Sequence, residues 1–308
     1  MRLFITGGAG YLGREIVKSF YDEAEITIYS RDEAKHYYLK KQFPKIKCVI
    51  GDVADFDMMN KAAKGHDHGI FAASLKQIEA VDQNVEIAIR TIVNGAINSR
   101  NIAEVNDFKA ACFISSDKSR AATTLYGSMK FIGGEAFIVN AEQSGVNLTT
   151  AIYGNVLNST GSIIPLILDS IKNKYEIKLY SKDMTRFMIN VEEAVSLIRN
   201  SFQFTGFNVV PNIPSFNVLE LFEIYKEEFG LKFIIGEPRI SEKIHEIMIA
   251  KEEIPRTYLD KELNLYMMHY HKIYHESNID FKEFSSKNVA VSKEELYKKL
   301  KENNFFQI

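Results

Sequence analysis

The chain has little cysteine, little proline and no excess of either charge. Its two cysteines, Cys48 and Cys112, stand singly in apolar runs, without a CxxC or metal-ligand neighbour. This excludes a disulfide-built scaffold and a thiolate cluster, and both read as buried thiols in a reducing compartment. Six prolines and no Pro/Gly/Ser-rich stretch leave no linker, repeat or low-complexity segment to divide the 308 residues. The 38 basic and 40 acidic side chains are scattered, with a net charge of -2, so there is no footprint for nucleic acid or for a membrane surface. A small-molecule partner fits better. No apolar run approaches membrane-spanning length, and "MRLFITGG" is too short for a signal h-region, so a soluble cytoplasmic protein is expected.

What is present is an alternation. "RLFIT", "EITIY", "KCVI", "GIFAA" and "ACFIS" read as strands between amphipathic helices beginning near Tyr11, Glu33, Asp55, Val81 and Thr123. That rhythm predicts an α/β fold: a Rossmann-like, doubly wound parallel sheet covered on both faces. Beyond about Gly154 the pattern loosens. Helical signals near Ile163, Val191, Val218 and Ser241 are separated by short strands such as "FNVV" and "KFII". A nucleotide-binding domain over residues 1–154 and a smaller substrate-binding lobe over 155–308, partly threaded back to the sheet, are expected. Ser292 and Glu295 have capping-box spacing before a last helix.

"ITGGAGYLG" joins the first strand to the first helix, with Gly7, Gly10 and Gly13 in GxxGxxG spacing. Glycines there let backbone approach a pyrophosphate, which the N–H groups at Tyr11, Leu12 and Gly13 can receive at the helix N-terminus. At the end of the second strand, where an acidic residue usually holds a free ribose 2′-hydroxyl, the chain reads "YSRDE". Ser30 and Arg31 suit a 2′-phosphate and point to NADP; the alternative recruits Asp32 to the ribose. Asp52 and Val53 end the third strand, where adenine could sit, although Asp52 also suits a helix cap. Ala72 and Ala73 follow the fourth strand against the same cofactor.

"SSDKSRAATTLYGSMK" holds two pairs of chemical groups. Tyr126 and Lys130, at i and i+4, match the short-chain dehydrogenase pairing, in which tyrosinate accepts a proton and lysine lowers its pKa. Asp117 and Lys118 are surplus to a hydride transfer. Their presence calls for a further bond to be made or broken.

"TGGAGYLG", "YSRDEAK", "GDV", "SSDK", "LYGSMK", "YGNVLNSTGSIIP", "MTRFMI" and "RISEKIHE" follow one another in order over nearly the whole chain. The series resembles the UDP-N-acetylglucosamine 4,6-dehydratases of flagellin and capsule sugar biosynthesis, which are extended short-chain dehydrogenases. The resemblance implies a tightly bound, internally recycled NADP and a UDP-sugar substrate, and a homo-oligomer is expected. It also gives the surplus pair its work: Lys118 as the base for the sugar C5 proton, if neutral, and protonated Asp117 as the acid for the departing 6-hydroxyl. Ser116 would bond the 4-hydroxyl. Lys76 would lie near nicotinamide and sugar, Asn155 and Ser162 near the diphosphate, and Arg186, Arg239 and Glu242 would hold phosphate and uridine ribose. A nucleotide-sugar C4 epimerase or reductase is the alternative, since it needs only Tyr126 and Lys130.

The chain departs from the family pattern at Ile152 and Thr160, where arginines are usual, and at Gln77, where a histidine is usual. These positions surround the expected sugar pocket, so they bear on which hexose is used rather than on the dehydration. His269, His271 and His275 in "HYHKIYH" lack carboxylate or cysteine company and read as exposed or packing histidines, so no metal is expected.

Overall fold

The computed structural model describes residues 1–159, 161–238, 240–274 and 278–307. The first half follows the strand and helix alternation of the sequence: β1 (Arg2–Thr6), α1 (Tyr11–Phe20), β2 (Glu25–Ser30), α2 (Glu33–Gln42), β3 (Lys47–Ile50), α3 (Phe56–Ala63) and β4 (His68–Phe71). After β4 come α4 (Ile78–Gln83), α5 (Val85–Ala88), a π-helical turn over Ile89–Asn94 and α6 (Gly95–Val105). The helix expected to start near Val81 thus starts at Ile78 and breaks at Asn84, whose side-chain amide donates to the Ala80 carbonyl at 2.9 Å and ends the first segment. Then follow β5 (Ala110–Ile114), α7 (Leu125–Ile138) and β6 (Asn147–Ala151). The β6 sequence "NLTTA" carries no strong strand signal. Its two threonines are fully buried because the Thr150 hydroxyl donates to the Gly134 carbonyl at 3.2 Å and Thr149 to that of Ala111 at 3.5 Å.

The second half contains β7 (Asn155–Val156), α8 (Ile163–Asn173), β8 (Ile177–Leu179), β9 (Thr185–Ile189), α9 (Val191–Ser201), β10 (Phe207–Pro211), β11 (Ser215–Asn217), α10 (Val218–Phe229) and β12 (Phe233–Ile235). It ends with β13 (Ile247–Ile249), β14 (Thr257–Asp260), β15 (Leu265–His269), β16 (Phe284–Ser285) and α11 (Lys293–Glu302), whose N-cap Ser292 accepts from the Glu295 amide. No helix forms at Ser241. That residue has φ +64°, and the chain then runs extended beside β9, with the Thr185 amide donating to the Ile244 carbonyl at 2.9 Å. Pairing with β9 overrides the local helical pattern.

A nine-stranded sheet runs β3-β2-β1-β4-β5-β6-β10-β15-β14, parallel from β3 to β10 and antiparallel through the last two. Alternate residues feed opposite cores. Leu3, Ile5, Ile28, Ile70 and Cys112 lie in one, and Phe4, Tyr29, Phe71 and Phe113 in the other. A third core joins α8, α10 and α11 through Ile167, Leu221, Tyr225, Leu296 and Leu300. The chain reverses winding direction between β1 and β4, which opens a crevice at their C-terminal ends. Among the described residues no helix is long and apolar enough to cross a membrane. Cys112 is fully buried, its thiol pushed up to about 11 by burial, whereas Cys48 is only half-buried, because β3 is the sheet's edge strand.

Candidate active site

The crevice is a cleft of about 1150 Å³ along the C-terminal ends of the parallel strands. Of the residues expected to hold a dinucleotide, Gly7, Gly10, Tyr11, Leu12, Gly13, Ser30, Arg31, Asp52, Val53, Ala72, Ala73, Lys76, Tyr126 and Lys130 all line it. At its floor, Gly7 has φ +71°, and a Cβ there would lie 2.8 Å from the Ala73 nitrogen. Only glycine lets β1 turn so close under the end of β4. Helix α1 starts just beyond, and no side chain caps it, so its first N–H groups are left for an anion. This backbone fits a pyrophosphate.

At the adenosine end, Asp32 is occupied. It caps α2 by accepting from the Lys35 amide at 3.0 Å and pairs with the Lys35 ammonium at 2.7 Å. Arg31 makes only a loose contact with Asp52, 3.7 Å between half-exposed side chains, which screening renders weak. Ser30 Oγ lies 2.6 Å from His36 Nε2. Asp52 also accepts from the Ala54 amide at 2.9 Å, a local turn.

The loop that carries Asp117 and Lys118 leaves β5 and enters α7. Its Asp117 amide donates to the Tyr153 carbonyl at 3.1 Å, and Thr124 caps α7 by accepting from the Gly127 amide. Gly127 is required there, because a Cβ would lie 2.2 Å from the Lys118 carbonyl oxygen. This close approach of helix to loop brings the two pairs of groups together. Ser116 Oγ donates to Asp117 Oδ1 at 2.9 Å, and Lys118 Nζ donates to the same oxygen at 3.2 Å.

Sequence reasoning passed over Glu246, which the structure places on the other side of Lys118, its Oε1 3.3 Å from Nζ. One ammonium thus faces two carboxyls that are almost wholly buried. Stripping water from both anions costs several kcal/mol each, so one carboxyl is driven toward its neutral form. That one is Asp117: burial and the neighbouring Glu246 push it up, against the pull of Lys118. Glu246 is shifted the other way, because Lys118, Arg186 and Lys243 together outweigh its burial. Lys118 itself is not the neutral amine expected of a buried lysine. Burial works to discharge it, but Asp117 and Glu246 prevail and its pKa is raised.

Burial raises Tyr126, opposed by Lys118 and the Ser116 hydroxyl. Lys130 lines the same cleft, donates to the Ile114 carbonyl at 2.7 Å and is lowered to about 7 by burial.

Asn155 and Ser162 line the same cleft, at the start of β7 and at the N-cap of α8. Among the described residues, Asn155 Oδ1, Ser162 Oγ and Asp117 Oδ2 are buried polar atoms without a hydrogen-bond partner, as expected of groups that meet a ligand. Arg186 and Glu242 are placed differently. The Arg186 guanidinium is buried in β9, donates to the Thr185 and Ile244 carbonyls, and pairs with Glu242 at 2.9 Å. Arg239, Thr160 and His275 lie outside the described residues. Ile152 is fully buried under the sheet, where an arginine would have no water, and Gln77 lines the cleft. His269 is buried against Glu142 at 2.7 Å; among the described residues no three His, Cys, Asp or Glu side chains are placed to hold a metal ion.

The polysaccharide biosynthesis protein family matches residues 3–268. A UDP-N-acetylglucosamine 4,6-dehydratase (inverting) of Campylobacter jejuni is 32% identical over 267 residues, covering 83% of this chain and 79% of the relative. A protein of Rickettsia canadensis named UDP-glucose 4-epimerase is 31% identical, covering 82% and 79%. The X-ray structure of Pen from Bacillus thuringiensis superposes with a TM-score of 0.89 at 23% identity, covering 99% of this chain and 98% of that one, a likeness of fold.

Proposed function

The chain belongs to the polysaccharide biosynthesis protein family, and from that premise we propose that it is a nucleotide-sugar 4,6-dehydratase, a hydro-lyase acting on UDP-N-acetylglucosamine or a related UDP-hexose. The observation that carries this reading is buried Asp117 paired with partly exposed Lys118 beside Tyr126, since a C4 epimerase has no use for a second acid and base. NADP, held by the backbone at Gly7, Gly10 and Gly13 and by Ser30 and Arg31, would supply the hydride acceptor and donor that oxidation at C4 and reduction at C6 require. Tyr126 takes the 4-hydroxyl proton while Ser116 holds that oxygen. The resulting ketone acidifies the C5–H bond, and Lys118, once it has shed its own proton, accepts that proton. The electron pair forms the C5–C6 double bond as the C6–O bond breaks. Asp117 gives the departing oxygen its proton, and water leaves. Inversion at C5 follows if Lys118 returns the proton to the opposite face. Incubation with a panel of UDP-sugars, without added cofactor, is expected to yield a product lighter by one water in the mass spectrum; a C4 epimer of unchanged mass would instead favour the epimerase named among the relatives.

Arg31, held only loosely by Asp52, supports NADP over NAD, because its guanidinium and the Ser30 hydroxyl suit a 2′-phosphate. Arg31→Asp is expected to reverse the preference in a cofactor titration, and equal wild-type affinities would remove the assignment. Asn155 and Ser162 are proposed contacts of the sugar diphosphate, and Lys76 of nicotinamide and sugar. Arg186 and Glu242 would have to exchange their mutual pair for nucleotide contacts. The division at residue 154 and a cytoplasmic location are likewise proposals. So is a homo-oligomer, supported by Ile97 on α6 and Leu125, Phe131 and Ile132 on α7, all 40 to 50% exposed. Ile132→Glu should then lower the mass measured by light scattering, and a wild-type monomer would rule the oligomer out.

A further inference from the structure

Glu246 has no place in the chemistry above, yet it is 3% exposed and deeply built in. Its amide donates to Ser286 Oγ at 2.8 Å, and its carbonyl accepts from the Ser286 amide at 2.8 Å. Just before it, the His245 ring meets Thr185 Oγ1 at 2.9 Å. The backbone is therefore fastened on two sides, to β9 and to the residue after β16. The carboxylate it carries approaches Lys118 Nζ at 3.3 Å, beside the 3.2 Å contact from Asp117, while Oε2 has no hydrogen-bond partner among the described residues. A buried carboxylate held on a rigid backbone costs several kcal/mol unless it is paired, and among the described residues Lys118 approaches it at 3.3 Å, with the Arg186 Nε farther off at 3.7 Å.

We propose that Glu246 is a positioning residue for the base: it pins the Lys118 amine against Asp117 and sets the pH above which that amine is free to accept a proton. This rests on the dehydratase reading for the word base, but not for the contact. The groups facing Lys118 are Asp117 on its own loop, Glu246 and Lys243 on the segment before β13, Arg186 on β9 and Tyr126 on α7. The Glu246 carboxylate touches the amine, lies nearer than the cations and acts to keep it protonated, and Asp117 adds to this whenever it is ionised. The sign follows. Water loss needs neutral Lys118, so its rate rises with pH through the Lys118 titration, and removing one anion moves that rise to lower pH. The same segment carries Glu242, so the nucleotide contact expected there and the pin on the base share one stretch of backbone.

The test is Glu246→Gln beside Glu246→Asp, read in two ways. The first is the pH profile of kcat/KM for water loss from UDP-N-acetylglucosamine. Glu246→Gln is expected to move the rising limb down by about one pH unit or more, the effect of an opposite charge within contact distance, and Glu246→Asp to restore it in part. The second needs no sugar chemistry. Lys118 lines the cleft with its side chain 27% exposed, so acetic anhydride can acylate its neutral form, and peptide mass spectrometry follows the extent against pH. The midpoint for Lys118 should fall by a similar amount in Glu246→Gln. An unchanged limb and an unchanged labelling midpoint would overturn the inference. If Glu246→Gln does not fold, wild type alone decides: a Lys118 midpoint above those of exposed lysines supports the pin, and one at or below them overturns it. A wild type that dehydrates no UDP-hexose, yet shifts its labelling on Glu246→Gln, would remove the dehydratase reading and leave the contact standing.

Discussion

Lys118→Met is expected to lower water loss by about 10²- to 10⁴-fold, the range of a positioned general base, while C4 oxidation is slowed less, because Lys118 acts on Tyr126 only as a nearby charge. Methionine keeps most of the volume of the lysine stem, so packing against Asp117 and Glu246 changes little in shape. It does leave two buried carboxyls without their shared cation, and both should take up protons rather than remain charged. In heavy water, wild type should place deuterium at C5 of the 4-keto-6-deoxy product, with the hydrogen at C6 coming from C4 of the same molecule. Lys118→Met should lose the C5 label together with the water loss. A fully active variant would exclude Lys118 as the base, and the reading of the Asp117–Lys118 pair would go with it.

Asp117→Asn should separate the two halves of the reaction. Asparagine matches the aspartic acid in shape and can still accept from Ser116 and Lys118, but it has no acidic proton for the departing 6-hydroxyl. Because burial and Glu246 already push Asp117 toward its protonated form, the variant removes that proton without removing a needed charge. Oxidation at C4 should continue slowly, seen as a reduced-nicotinamide absorbance that rises and does not decay, while water loss falls by about 10²-fold or more. Tyr126→Phe should show neither signal, since it blocks the first proton transfer. Normal dehydration by Asp117→Asn would assign the acid elsewhere, with buried Tyr153 at the same cleft as the next group to try.

The glycine-floored crevice was legible because its signal is local. Gly7, Gly10 and Gly13 lie within one strand, one turn and one helix start, and the alternation of short apolar runs with amphipathic helices dictates a parallel sheet whose winding reverses beside that turn. Tyr126 and Lys130 were equally legible as an i,i+4 pair, and Asp117 with Lys118 as neighbours in sequence. What each of these groups does electrostatically was not. The charge on Lys118 depends on Glu246, 128 positions away along the chain, and the lowering of Lys130 depends on its burial beside the Ile114 carbonyl. The segment carrying Glu246 even has a helical pattern, and runs extended only because β9 offers it a backbone partner. Residue types and spacings thus determined the fold class, the glycine-floored cleft and the presence in it of Asp117, Lys118 and Tyr126. Tertiary structure alone decided the proton inventory of the site, because desolvation and opposing charge arise from segments that only folding brings within 4 Å.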